Sequence, residues 1–169
     1  MSRRVLILDT SVLCCWLQVP GKDQAGTQED RWTHARIEAV LCEEQKQGST
    51  FVLPVATFIE TGNHIAQVAG DRFGLATQLA GYLRKAADAD SPWAAFTEQS
   101  GLWQAESLQR LADDWPSHAA QKLSIGDVII KEVAEYYHRA GFFVEILTGD
   151  AGLKAYQPTQ PLLIPRRRR

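Results

Sequence analysis

Four acidic residues lie beside apolar segments at positions where the local pattern does not require a charge. They come from separate parts of the chain and are Asp9, Glu60, Asp127 and Asp150. If they meet in the fold they repel one another, because two carboxylates about 4 Å apart cost roughly 4 kcal/mol at an effective dielectric constant of about 20. A multivalent cation relieves this repulsion, and oxygen ligands favour Mg²⁺ or Mn²⁺. Such a cation can activate water and stabilise a phosphoryl oxygen, which is the chemistry of a phosphodiesterase.

Each acid also has a purely structural explanation. Asp9 can be a turn residue, Asp150 can shape a loop, and Glu60 can be a solvated helix acid. Ser124 precedes Asp127 by three positions, which resembles a capping box with a shortened acid. Taken singly, the structural explanation is favoured for Asp127 and Glu60 and is evenly balanced for the two aspartates that end strands. A common location of all four favours a functional site.

The apolar runs predict strands that alternate with helices. Strands are predicted at 4–8, 50–53, 143–150 and 161–165. Helices are predicted at 10–18, 32–47, 55–69, 72–87, 101–115 and 123–141, and the polar stretch 19–30 is predicted to be a mobile loop. This alternation predicts an α/β fold, with three α/β/α layers around a central, mostly parallel sheet. Ligands bind beyond the carboxyl ends of such strands, so Asp9 and Asp150 are expected at one ligand-binding edge.

The composition is that of an ordinary soluble protein, and a single domain is expected over residues 1–165. Of 169 residues, 45% are hydrophobic and 22% are charged, and no apolar run reaches membrane-spanning length. The N-terminal residues do not resemble a signal peptide. The three cysteines, Cys14, Cys15 and Cys42, are interpreted as reduced residues that pack in the core. Together these features predict a cytoplasmic protein.

The last four residues form a basic tail on an otherwise acidic chain. They take up four of the 18 basic residues, which leaves 14 basic against 20 acidic residues elsewhere. The tail consists of Arg166, Arg167, Arg168 and Arg169. Clustered arginines are a candidate binding site for nucleic-acid phosphates, and a solvated chain end explains them equally well.

Four segments together resemble the PIN domain, a family of metal-dependent nucleases that includes the VapC-type toxins of toxin–antitoxin pairs. The segments are, in chain order, VLILDTSVLCCWL, FVLPVATFIETGNHI, LSIGDVIIKEVAEYY and VEILTGDAGLKAY. Each is a weak motif alone, but their order and their placement on strands and helices are fairly specific. The resemblance implies an α/β/α fold, a cluster of three or four acids that holds Mg²⁺ or Mn²⁺, and cleavage of single-stranded RNA.

The resemblance also implies roles for individual residues. It assigns the four acids, Asp9, Glu60, Asp127 and Asp150, as metal ligands. It places the hydroxyl of Thr148 beside the metal site, and Thr10 is expected to orient Asp9. The partners that it implies are RNA, an antitoxin protein if the chain is a toxin, and a second copy of the chain in a homodimer.

Several features of the chain depart from the family pattern or lie outside it. The stretches 19–30 and 93–115 make the chain longer than the smaller toxins. Gly126 weakens the predicted start of its helix, although it would let backbone approach a ligand closely. His64 shares a helical face with Glu60 and is interpreted as a surface histidine. Trp103 and Trp115 fit an apolar helical stripe better than base-stacking positions, and are predicted to be core or interface residues.

Two other functions compete with the nuclease. A catalytically inactive PIN-like module would bind RNA or a protein, but it has no reason to retain four mutually repelling acids. A haloacid-dehalogenase-like phosphohydrolase also begins with an aspartate after an apolar strand. That chemistry needs a second aspartate two residues later, where this chain has Ser11.

Overall fold

The computed structural model describes residues 4–159, and its centre is a parallel sheet of three strands. The predicted strand at 161–165 and the arginine tail lie outside the described residues. The five strands are β1 (Arg4–Leu8), β2 (Gln24–Gly26), β3 (Arg31–Thr33), β4 (Thr50–Val52) and β5 (Phe143–Leu147). The central sheet has the order β4-β1-β5, and β1 is parallel to both neighbours. The expected parallel sheet is confirmed.

Seven α-helices and one 3₁₀-helix surround this sheet in the described part of the chain. The helices are α1 (Thr10–Trp16), α2 (His34–Lys46), α3 (Val55–Gln67), α4 (Arg72–Ala87), α5 (Ala105–Ala120), α6 (Ile125–Arg139) and α7 (Ala151–Lys154). The 3₁₀-helix spans Phe96–Trp103. None of the helices between residues 4 and 159 combines the length and the apolar character that a bilayer crossing requires.

Strand β1 is buried on both faces, which explains its uninterrupted apolar sequence. Successive side chains of a strand point to opposite faces. Leu6 and Leu8 therefore join a core cluster with residues of α1 and α2, whereas Val5 and Ile7 join a second cluster with residues of α6. Helices cover both faces of the sheet, and the expected three-layer α/β/α arrangement is confirmed.

The stretch 19–30, predicted to be a mobile loop, contains a strand instead. Strands β2 and β3 form an antiparallel ribbon in which Gln24 pairs with Thr33 and Gly26 with Arg31. The buried indole of Trp32 anchors this ribbon in the core. The error has a physical cause: three-residue strands carry too short a pattern to identify, and this ribbon is held in place by packing of Trp32 and Ala25 against the core.

The region 101–115 differs from its predicted helix. A 3₁₀-helix ends at Trp103, and α5 begins at Ala105 and buries no residue fully. Trp103 and Trp115 are 42% and 37% exposed, so neither is a core residue, and their alternative role as interface residues stays a prediction. Cys14 and Cys15 are buried as predicted, whereas Cys42 is exposed. An apolar stripe identifies the face of a helix but not whether another element covers it.

Candidate metal centre

Asp9 lies where β1 ends and α1 begins, at the carboxyl edge of the sheet. Its backbone N–H extends the ladder between β1 and β5 by donating to the carbonyl of Leu147 at 3.0 Å. It is also the N-cap residue of α1. The side chain is only 5% exposed, so Asp9 is a buried acid at the rim of the sheet.

One carboxylate oxygen of Asp9 accepts its hydrogen bonds from side-chain hydroxyls. Oδ2 accepts from the hydroxyl of Ser11 at 2.7 Å, from the backbone N–H of Ser11 at 3.4 Å and from the hydroxyl of Thr148 at 2.7 Å. The backbone N–H of Thr10 also donates to this carboxylate. Side-chain hydroxyls thus hold the carboxylate through Oδ2.

The loop after β5 is tied to the same hydroxyl groups. Thr148 accepts the N–H of Asp150 at 2.9 Å while it donates to Asp9, and the N–H of Gly149 donates to the hydroxyl of Ser11 at 3.0 Å. The indole N–H of Trp32 donates to the carbonyl of Thr148 at 3.0 Å. The Thr148 hydroxyl therefore lies beside Asp9, and its place beside a metal ion stays a prediction.

Glu60 reaches this edge from α3. The hydroxyl of Thr57, one turn earlier, donates to the carbonyl of Leu8 at 2.8 Å and ties α3 to the end of β1. The hydroxyl of Thr10 donates to Oε2 of Glu60 at 2.9 Å. The Thr10 hydroxyl therefore orients Glu60, whereas Thr10 contacts Asp9 through its backbone N–H. Gly126 leaves the space that Glu60 occupies, since a Cβ there would collide with Oε1.

Asp127 and Asp150 each cap a helix. Oδ2 of Asp127 accepts the N–H of Ser124 at 2.8 Å, and Asp127 donates back to the Ser124 hydroxyl through its own N–H, so the capping box anticipated from the sequence is present. Oδ1 of Asp150 accepts N–H groups of Gly152 and Leu153 at the start of α7. Each acid therefore commits one oxygen to a structural role and keeps one for another partner.

All four acids line one cleft with a volume of about 330 Å³. Its other lining residues include Lys22, Gln24 and His64, which come from the turn after α1, from β2 and from α3. The strand pattern predicted Asp9 and Asp150 at the carboxyl edge of the sheet, the resemblance implied that Glu60 and Asp127 join them, and the structure brings all four to this cleft. Their role as metal ligands stays a prediction.

Asp9 and Glu60 hold their protons more tightly than an ordinary exposed acid does. Burial raises the pKa of Asp9, the hydroxyls of Ser11 and Thr148 oppose the rise, and the charge of Asp127 adds to it. Burial also raises the pKa of Glu60, as do the charges of Asp127 and Asp9, whereas the Thr10 hydroxyl lowers it. Across residues 4–159, no lysine, arginine or histidine forms an ion pair with any of the four.

These residues fit a divalent cation by the chemistry of their donors. Uncompensated carboxylates supply only oxygen ligands, which suits Mg²⁺ or Mn²⁺. In the positions that the side chains have here, however, residues 4–159 contain no group of three or more metal-binding side chains close enough to hold an ion, whether histidine, cysteine, aspartate or glutamate. The type of donor therefore fits, whereas the side-chain arrangement does not by itself form a ligand cage.

Sequence reasoning missed several residues that shape the site. The sequence singles out Ser11 only as the residue in place of a second aspartate, and its hydroxyl proves to hold Asp9. Lys22 and Gln24 lie in the supposed loop, and Trp32 gives no signal of its contact with Thr148. The bond from Ser11 to Asp9 spans only two positions, whereas the roles of Lys22, Gln24 and Trp32 depend on contacts between distant segments that no local pattern could have revealed.

Comparisons of the chain with models of protein families, with curated proteins and with solved structures found no match.

Proposed function

We propose that this protein is a Mg²⁺- or Mn²⁺-dependent endoribonuclease that hydrolyses phosphodiester bonds of RNA. The observation that supports this proposal is the convergence of Asp9, Glu60, Asp127 and Asp150 on one cleft, where none of them is ion-paired to a basic side chain among residues 4–159. Burial, and to a smaller extent the charge of Asp127, raises the pKa of Asp9 and of Glu60, and a divalent cation would offset the cost of holding both carboxylates ionised. The resemblance of the four segments to the PIN domain supports RNA as the substrate.

The residues of the chain have distinct parts in this proposal. Asp9, Glu60, Asp127 and Asp150 would hold the ion, which when bound supplies an activated water and stabilises charge on the phosphoryl oxygens. Ser11 and Thr148 keep Asp9 in place through Oδ2, and Thr10 keeps Glu60 in place through Oε2. These hydroxyls play the part of the outer-shell donors that orient metal ligands.

The proposal is tested by RNA cleavage with and without the metal. We expect the purified protein to cut single-stranded RNA in Mn²⁺ or Mg²⁺ and to be inactive in EDTA. Asp9→Asn and Asp127→Asn should each abolish cleavage, because asparagine retains capping ability but not the charge. Asp71→Asn is the matched control, since Asp71 caps α4 through Gly74 and does not line the cleft. Equal cleavage by the parent and both cleft variants would refute the assignment.

A toxin of a toxin–antitoxin pair is the more specific form of this proposal. Its support is the resemblance to VapC-type toxins alone, and it carries with it an antitoxin partner and a homodimer. A small DNA-binding protein encoded beside this chain, which copurifies with it and blocks cleavage, is the expected result. Absence of such a reading frame would contradict the toxin role and would not affect the proposed nuclease activity.

The second candidate function is an inactive PIN-like module that binds RNA or a protein. The capping roles of Asp127 and Asp150 favour it, because they explain two of the acids without an ion. Calorimetric titration with Mn²⁺ separates the two functions. Binding that disappears in Asp9→Asn supports the nuclease, and no binding supports the inactive module.

A further inference from the structure

Lys22 brings a positive charge to the acidic cleft. It belongs to the turn that follows α1, where its backbone N–H donates to the carbonyl of Val19 at 2.9 Å. Its side chain lines the same cleft as the four acids. Gly21 precedes it with φ of +77°, a conformation that glycine adopts without strain. The turn thus places a lysine over a site otherwise dominated by carboxylates.

Lys22 is the one lysine or arginine that lines this cleft in the described part of the chain. Many other basic side chains are neutralised by ion pairs, among them Arg4, Arg36, Lys131, Arg139 and Lys154. Lys22 forms no ion pair with any side chain in residues 4–159. Burial lowers the pKa of His64, and the Lys22 charge lowers it further. Burial raises the pKa of the Cys14 thiol to about 11 and the Lys22 charge opposes that rise, so the ammonium is within electrostatic reach of both groups.

An anionic substrate needs such a charge to enter this cleft. Each nucleotide of a strand carries a negative phosphodiester, and the four carboxylates repel it. A lysine contributes a compact charge with three N–H donors, which suits a phosphate that must be held without a fixed bidentate geometry. Gln24 adjoins it in the cleft and has its carbonyl oxygen engaged by Arg31, which leaves its amide N–H groups as donors.

We infer that Lys22 is a substrate-binding residue that contacts a backbone phosphate of the single-stranded polynucleotide held in the cleft. This inference rests on the proposed function, because it places the strand across the acidic site. It assigns Lys22 to strand binding and leaves the chemical step to the acids and the ion.

The test measures binding and cleavage separately. Anisotropy of a fluorescent single-stranded RNA gives its affinity in Ca²⁺ at several salt concentrations, with a gel to verify that the RNA stays intact. Lys22→Met should weaken binding about tenfold. It should also reduce the slope of log affinity against log salt by about 0.7, which is the contribution of one phosphate contact on a single strand. Lys22→Arg keeps the charge and should retain most of the affinity.

Lys46→Met is the matched control, since Lys46 is an exposed lysine at the end of α2 outside the cleft. It should leave both affinity and slope unchanged. In cleavage assays Lys22→Met should raise KM and leave kcat close to the parent value. A variant that matches the parent in affinity and salt slope overturns the inference, as does one that lowers only kcat.

The outcomes also separate this inference from the proposed function. If the parent cuts RNA and Lys22→Met binds it equally well, only the inference fails. If the parent binds RNA through Lys22 but does not cut it with any metal ion, the proposed nuclease function is refuted and the proposed contact between Lys22 and a phosphate is retained. A parent that neither cuts nor binds RNA overturns both.

Discussion

The hydroxyl of Thr148 donates a hydrogen bond of 2.7 Å to Oδ2 of Asp9, although 139 positions of sequence separate the two residues. The same hydroxyl accepts the N–H of Asp150 at 2.9 Å. One side chain thus joins a buried acid at the end of β1 to an exposed acid after β5. Because this bond stabilises the charged form of Asp9, it opposes the effect of burial on the pKa.

Thr148→Val should weaken metal binding more than it weakens the fold. The substitution keeps the shape of the side chain but removes the donor to Asp9, and loss of an outer-shell partner typically costs about 10- to 100-fold in metal affinity. Calorimetry with Mn²⁺ measures this change, and urea unfolding should show a loss of about 1 kcal/mol. Thr77→Val is the control, because that hydroxyl only donates to the carbonyl of Phe73 within α4. Unchanged Mn²⁺ affinity would separate Thr148 from the site.

Asp9→Asn should stabilise the metal-free protein at neutral pH. Because folding raises the pKa of Asp9 above its ordinary value of 3.8, the folded state binds more protons than the unfolded one in the interval between the two values. Stability of the parent is therefore lost as pH rises through that interval, by about 1.4 kcal/mol for each unit of the shift. Asparagine does not titrate and avoids this loss.

The measurement is urea unfolding of parent and Asp9→Asn in EDTA at a series of pH values. The stability advantage of the variant should grow as pH rises above 3.8 and then level off. Added Mn²⁺ should stabilise the parent and not the variant. If the stability advantage of Asp9→Asn over the parent shrinks with rising pH, folding does not disfavour the charged form of Asp9.

Gly126→Ala should disturb Glu60. A Cβ at position 126 collides with Oε1 of Glu60, so the carboxylate must move away from its present place beside Thr10. We expect RNA cleavage to fall at least about tenfold, the size of effect seen when metal ligands lose their orientation. Helix propensity alone would predict a gain of roughly 0.5 to 1 kcal/mol in stability.

The control for this substitution is Gly81→Ala in α4, where an added Cβ meets no atom within 4 Å. The free energy of unfolding of this variant should rise by the same roughly 0.5 to 1 kcal/mol that helix propensity predicts, and its RNA cleavage should match that of the parent. If Gly126→Ala behaves in the same way as Gly81→Ala, the position of Glu60 does not matter for function.

Trp32→Phe should slow RNA cleavage by loosening the loop that carries Thr148. The indole N–H donates to the carbonyl of Thr148, and phenylalanine keeps most of the buried surface but not this donor. Stability should fall by about 1 kcal/mol. Trp16→Phe also loses an indole bond, to the exposed Glu38, at a place outside the cleft. The comparison of kcat in the two variants is the measurement, and an equal effect on both would argue against a positioning role for Trp32.

Prediction from the sequence succeeded where local patterns have strong physical causes. A strand such as β1, buried on both faces, must be apolar throughout, so VLIL identified it and placed Asp9 at its end. Ser124 with Asp127 predicted a capping box, which is present, because capping depends on residues only three apart.

Prediction failed where the outcome depends on contacts between distant segments. The ribbon of β2 and β3 has strands of three residues, which carry no pattern of their own. The helical period of the apolar residues on α5 was predicted correctly. Trp115 is nevertheless exposed, since no other described element covers it. The hydroxyl of Thr10 bonds to Glu60 rather than Asp9 because α3 is tied to the end of β1 by Thr57.

The sequence by itself determined the alternation of strands and helices, the burial of β1 and the place of Asp9 and Asp150 at the carboxyl edge of the sheet. These follow from hydrophobic periodicity and from the direction of parallel strands, which are local properties of the chain. Only the tertiary structure decided that Thr148 holds Asp9, that Gly126 makes space for Glu60 and that Lys22 lines the cleft of the acids. Such contacts join segments up to 139 positions apart, and their geometry arises only when the layers pack.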